Sequence, residues 1–222
     1  MPFTGLPLAT TVRVDSQRGN AGLVTITAER LQLQDGARLD ASTFGNGEGG
    51  LISLSLKTLE VSNAEMLVYS SSTGRGGEIR LAADQLQLSR DAPVAADTVG
   101  TGDGGRLDWQ VGQLDITDSR VDLRTGYLGA GGDLNIVAGS MAVTNSTVSA
   151  STNGPGRGGS LSIEAGALKL SNSAISADTS DIGRGGDVLI DAGLLDLVDA
   201  SISASSTLPY EGPAGLAGDI KL

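Results

Sequence analysis

The sequence predicts an all-β protein, a single-stranded parallel β-helix of about 27 residues per coil with three short strands in each coil. Three observations predict it. A four-residue glycine phrase recurs as GEGG at Gly47, GRGG at Gly74, GDGG at Gly102, GAGG at Gly129 and GRGG at Gly156 and Gly183. Degenerate copies stand at Gly19 (GNAG) and Gly215 (GLAG), so that successive starts lie 28, 27, 28, 27, 27, 27 and 32 residues apart. After each phrase apolar and polar residues alternate with period two, as in Leu134-Asn135-Ile136-Val137-Ala138, which is strand spacing, and no helical spacing is sustained anywhere. Such short strands leave no room for a crossover helix inside one repeat. Each must therefore pair with its counterpart in the next repeat, about 4.8 Å away.

Taken in order, residues 1–18 read as an N-terminal partial coil or cap and residues 19–222 as the solenoid, with coils starting near 19, 47, 74, 102, 129, 156, 183 and 215. The first strand of each coil points inward through pairs such as Ile52 and Leu54, Leu107 and Trp109, and Val188 and Ile190. A second follows through Leu31 and Leu33, Leu59 and Val61, down to Leu195 and Leu197. The third carries smaller pairs, such as Val148 with Ala150 and Ile175 with Ala177, as a tight corner requires. Four residues past the start of the second strand comes a column of Asp35, Asn63, Asp118, Asn145, Asn172 and Asp199, broken only by Arg90, which Asp91 follows. Asx residues tolerate the left-handed backbone region, so this column reads as a structural ladder of turns.

Composition narrows the function classes. The chain has no Cys and no His, which removes disulfides, thiolate and imidazole catalysis and the usual zinc sites. A net charge of −11 argues against nucleic acid and anionic membranes as partners, and no stretch is apolar enough for a membrane span. The N-terminus lacks the pattern of a signal peptide. The glycine phrases are followed by strands rather than helices and lack a following Lys-Ser or Lys-Thr, so they are not phosphate loops. Nor do they form a calcium ladder, because the residue after each phrase runs Leu51, Glu78, Arg106, Asp133, Ser160, Asp187 without repeating an oxygen ligand. Incidental calcium on an acidic surface is the most that charge alone supports, and the residues point to no cofactor, metal site or catalytic group. Trp109, in step with Leu107 and Val111, reads as core; Phe44 and Tyr127 fall in loops ahead of the glycines, where stacking on a ligand is open to them.

Two features point toward binding. Outward charges (Glu78 with Arg80, Arg106 with Asp108, and Arg120 with Asp122 and Arg124) are the residues that a polysaccharide-binding or polysaccharide-cleaving β-helix would need. Their sign and position change from coil to coil, which favours simple solubility. The one long loop, Ser205 to Gly218, carries Leu208, Pro209, Tyr210, Glu211 and Pro213 and is the candidate ligand-binding loop. Thr and Ser at the ends of the third strands, such as Ser42-Thr43, Ser72-Thr73 and Arg124-Thr125, raise a further reading as an ice- or mineral-binding row.

The unit seen in GAGGDLNIVAGSMAVTNSTVSAST and GRGGSLSIEAGALKLSNSAISADT resembles the repeat region of filamentous-haemagglutinin-like exoproteins of the two-partner secretion family. That resemblance implies a right-handed shaft of a large secreted or cell-surface, outer-membrane-associated adhesin, exported unfolded through an outer-membrane transporter partner and serving adhesion or surface structure without catalysis. Surface glycans or a host or neighbouring cell surface would be its partners. The asparagine-proline motifs of that family's secretion domain do not occur here. The segment accordingly reads as interior shaft, and its open coil ends are expected to associate end to end.

Overall fold

The computed structural model describes residues 10–207 and 215–222. Strands alternate between short and long along the chain. They are β1 (Thr11–Arg13), β2 (Leu23–Gln34), β3 (Arg38–Asp40), β4 (Leu51–Ser62), β5 (Glu65–Leu67), β6 (Glu78–Ser89), β7 (Val94–Ala95) and β8 (Arg106–Thr117). The series continues with β9 (Arg120–Asp122), β10 (Asp133–Thr144), β11 (Thr147–Ser149), β12 (Ser160–Ser171), β13 (Ala174–Ser176), β14 (Asp187–Val198), β15 (Ser201–Ser203) and β16 (Ile220–Lys221). All pairing is parallel and joins counterparts in neighbouring coils: Leu23 faces Leu51, Leu51 faces Glu78, Asp133 faces Ser160. The protein is thus a β-solenoid built of two eight-stranded sheets.

The first two expected strands of each coil run together as one 12-residue strand. Its ladder skips one residue per coil, for example between Ala138 and Ser140, and at that point two consecutive side chains face outward before the alternation resumes with opposite parity. Glycine occupies the skipped position in four successive coils (Gly112, Gly139, Gly166, Gly193), where an added Cβ would lie 2.6 to 2.8 Å from the carbonyl of the coil before. The long sheet therefore folds around a corner without losing its ladder, and the cross-section keeps three faces with only two sheets.

The core is a column of stacked aliphatic side chains. Ile52, Leu59, Ile79, Leu86, Leu107, Leu114, Ile136 and Leu170 are all buried, and Met66 and Val68 fill the third face of their coil. Trp109 is completely buried, in step with Leu107 and Val111, though its indole N–H has no hydrogen-bond partner. Leu197 departs from the expected core column: it is 44% exposed, because β16 covers only Val188 and Leu189 of β14.

Candidate functional site

Each corner of the coil is made by one residue type for one reason. The turn column lies in the left-handed region, with φ of 53° at Asp35, 50° at Asn63, 49° at Asp118 and Asn145, and 48° at Asn172 and Asp199. Arg90 belongs to the same column at 56°, and Asp91 follows it at 59°. The other 28-residue spacing uses the same device, with Asp35 followed by Gly36 at 82°. An extra residue is thus absorbed by doubling the left-handed turn, and the strands on either side keep their register. Along the column Asn145 donates to Asp118 at 3.1 Å and Asn172 donates to Asn145 at 2.9 Å. Just inside it a serine ladder runs parallel: the backbone N–H of Ser119 donates to Ser146 Oγ at 3.0 Å, and that of Ser146 to Ser173 Oγ at 3.2 Å.

The glycine phrase makes the second corner, by close approach rather than unusual dihedrals. A Cβ on Gly105 would stand 2.1 Å from the carbonyl oxygen of Gly77, and one on Gly132 2.3 Å from that of Gly105. Inward-pointing Thr and Ser pin this corner from within: Thr43 Oγ1 donates to Gly19 O at 2.8 Å, Thr98 to Asp103 O at 2.6 Å and Thr125 to Ala130 O at 2.7 Å. This overturns the ice- or mineral-binding reading. Thr43, Ser70, Thr98, Thr125, Thr152 and Thr179 are at most 1% exposed, and the member of the column in its coil is Ser70 rather than Ser72-Thr73. The glycine floor of Gly22, Gly50 and Gly77 leaves a shallow groove of about 560 Å³ between Glu48, Arg75, Glu78 and Arg106. Farther along, Arg75 meets Asp133 at 3.1 Å, and Arg157 meets Asp187.

The outward charges fall into two groups: Glu78 and Arg80 lie against Arg106 and Asp108 of the next coil, with Arg106 Nε 4.0 Å from Glu78, and the third set lies apart from them. Arg80 grips Glu78 through Nε at 2.7 Å and Nη2 at 2.8 Å, and Arg106 reaches Asp108 at 3.6 Å, all on the long sheet. Arg120 and Asp122 lie on the short sheet, and Arg124, two residues past its strand, pairs with Asp122 at 2.8 Å. Outward-parity residues of the short sheet are nevertheless covered: Asp40 and Asp122 are 1% and 7% exposed. At one end Arg38 holds Asp40 at 3.1 Å; at the other Ser149, Ser151 and Ser176 exchange hydroxyl hydrogen bonds of 3.0 to 3.2 Å. Between them Asp97 accepts the backbone N–H of Arg124 at 2.6 Å. Burial, with the neighbouring Asp122 charge added, pushes its carboxyl up to about 6 against the pull of Arg124 and Arg120. Alternation alone does not show that Asp40 and Asp97 are covered by their neighbours.

Phe44 and Tyr127 differ in state. The Phe44 ring meets Tyr69 edge-on at 5.5 Å and lies under Arg13 at 5.4 Å, whereas Tyr127 is 64% exposed. The candidate loop residues Leu208, Pro209, Tyr210, Glu211 and Pro213 lie outside the described residues. Their flanks nevertheless place the insertion: Ser206 stays 27 residues beyond its partner Thr179, while Gly215 stacks on Gly183, 32 residues earlier. The five extra residues therefore lie between Ser206 and Gly215 in the chain. Among the described residues, no cluster of three or more acidic side chains is placed to share a metal ion, and no helix is long and apolar enough to cross a membrane. No protein-family model matches the chain, and no curated protein or solved structure is similar to it.

Proposed function

We propose that this chain is a shaft segment of a large secreted or cell-surface adhesin, whose role is mechanical and adhesive rather than catalytic. The observation that carries the reading is the unbroken register: seven consecutive long strands stay paired residue for residue, and irregularities are confined to corners. Glycine corners that admit no side chain, a buried hydroxyl column and a seam whose polar groups satisfy one another all serve to keep coils stacked. A chain without cysteine also suits export in an unfolded state through an outer-membrane transporter. Surface glycans are the partners that the repeat resemblance implies.

A polysaccharide-cleaving function is the second reading, favoured by one observation: Asp97, with its raised pKa, stands beside the Arg-paired Asp122. Incubating the protein with a polysaccharide panel, with and without calcium, separates the two. Retention without new reducing ends is the expected result. Release of reducing ends that Asp97→Asn abolishes would replace the shaft reading with the enzymatic one. Binding lost on deleting residues 208–214 would make the long loop the adhesive element.

A further inference from the structure

Between the end coils, over residues 47–182, five large apolar side chains are exposed, and four of them occupy a single corner. Val99, Tyr127, Leu128 and Ile182 lie in the three-residue loops between the Thr column and the glycine phrase, as does Phe44 of the first coil, and Val137 lies elsewhere. Four of the five are 60% to 64% exposed. Scattered apolar residues are ordinary on a protein surface, but here the register aligns the exposed Leu128, Pro155 and Ile182 in three successive coils, with Tyr127 beside Leu128 and Val99 one coil before.

The chemistry of this corner is distinctive in a second way. Its six loops, residues 44–46, 71–73, 99–101, 126–128, 153–155 and 180–182, hold eighteen residues, and Asp181 is the only charged one, in a chain that is 18% charged overall. Even that carboxylate is engaged, accepting the Ile182 backbone N–H at 2.7 Å. What remains is apolar surface interleaved with exposed hydroxyls and an amide at Thr73, Thr101 and Asn153. The stacking register sets Tyr127 between Gly100 in the coil before and Gly154 in the coil after, so neither flanking residue carries a side chain. Coils rise by about 4.8 Å, which spaces these features along the axis as a straight edge.

We propose that this corner is a binding edge for a neutral polysaccharide laid along the shaft, with the Tyr127 ring as its stacking platform. Sugar rings combine apolar C–H faces with hydroxyl rims, which is the pattern that the edge presents. A polyanion would find no cation in the loops and would face a net charge of −11. The assignment rests on the adhesive part of the function proposed above and names its ligand class and its place.

The test is affinity electrophoresis and calorimetry of the whole chain with cellohexaose, chitohexaose and laminarihexaose, with polygalacturonate as the anionic comparison. At least one neutral oligosaccharide is expected to bind, and Tyr127→Ala to weaken it by about tenfold, the scale of one aromatic contact. Tyr127→Phe should retain most of the affinity, and Leu128→Ser with Ile182→Ser should weaken it independently, all with an unchanged denaturation midpoint. Binding that survives all these substitutions would overturn the assignment while leaving adhesion elsewhere on the shaft. Failure of every neutral probe, or equal affinity for polygalacturonate, would overturn it and leave only the mechanical role.

Discussion

Asp97 shows how one side chain can depend on its neighbours in the next coil. Its carboxyl titrates near 6 rather than at the ordinary 3.8, because burial and Asp122 disfavour the charge. A folded-state pKa above the unfolded value means that the neutral acid is what the fold prefers. The stabilising contribution is complete below about pH 3.8 and is lost as the pH rises through about 6, a change of about 3 kcal/mol. Asp97→Asn keeps an acceptor for the Arg124 N–H while removing the charge. Urea denaturation is therefore expected to show the variant more stable than the parent by about 1 to 3 kcal/mol at pH 8, with the gain vanishing by pH 4. A gain that persists unchanged at pH 4 would show that the charge is not its source.

At the scale of the coil, the glycine corner separates two roles of the same residue type. Gly105 closes the phrase GDGG and Gly19 opens GNAG: an added Cβ at Gly105 meets the Gly77 carbonyl at 2.1 Å, while at Gly19 the nearest atom is Ser16 Oγ at 3.7 Å. The Gly77 carbonyl is also the acceptor for the Arg106 N–H at 2.9 Å, so a methyl group there pushes two coils apart at a ladder bond. Gly105→Ala is expected to cost about 3 kcal/mol or more, and Gly19→Ala to stay within about 0.5 kcal/mol, by denaturant midpoint. Equal effects would mean that the glycines matter through chain entropy rather than close approach. The turn column behaves differently, since there the backbone conformation and not the space is what selects Asx; Arg90 occupies it at a cost of about 1 to 2 kcal/mol that Asn does not incur.

For the whole molecule, the consequence of nearest-neighbour stacking is that the last coil is incompletely covered. Among the described residues the outer edge of β14 is unpaired beyond Leu189, and Leu194, Leu197 and Val198 are 62%, 44% and 48% exposed. An open parallel edge beside exposed leucines is a template for another chain. Size-exclusion chromatography over a concentration series is expected to show growing assemblies, reduced by Leu194→Lys with Leu197→Lys. A strict monomer at every concentration would remove the idea.

The coil length, the inward columns, the Asx turns and the absence of helix were all legible in the sequence, because period and alternation are local properties that parallel stacking simply repeats. Trp109 could be placed in the core by its parity alone. Three things needed the tertiary structure. Alternation cannot tell a break between strands from a bend within one, so the continuous 12-residue strand appeared only in the ladder. It cannot show which outward-parity residues are covered either, so the burial of Asp40 and of the Asp97 carboxyl, and the inward turn of the Thr column read as an outward row, appeared only in the stacked coils. Nor could it gather Phe44, Val99, Tyr127, Leu128 and Ile182 onto one edge, because residues 27 apart become neighbours only when the coils are stacked in register.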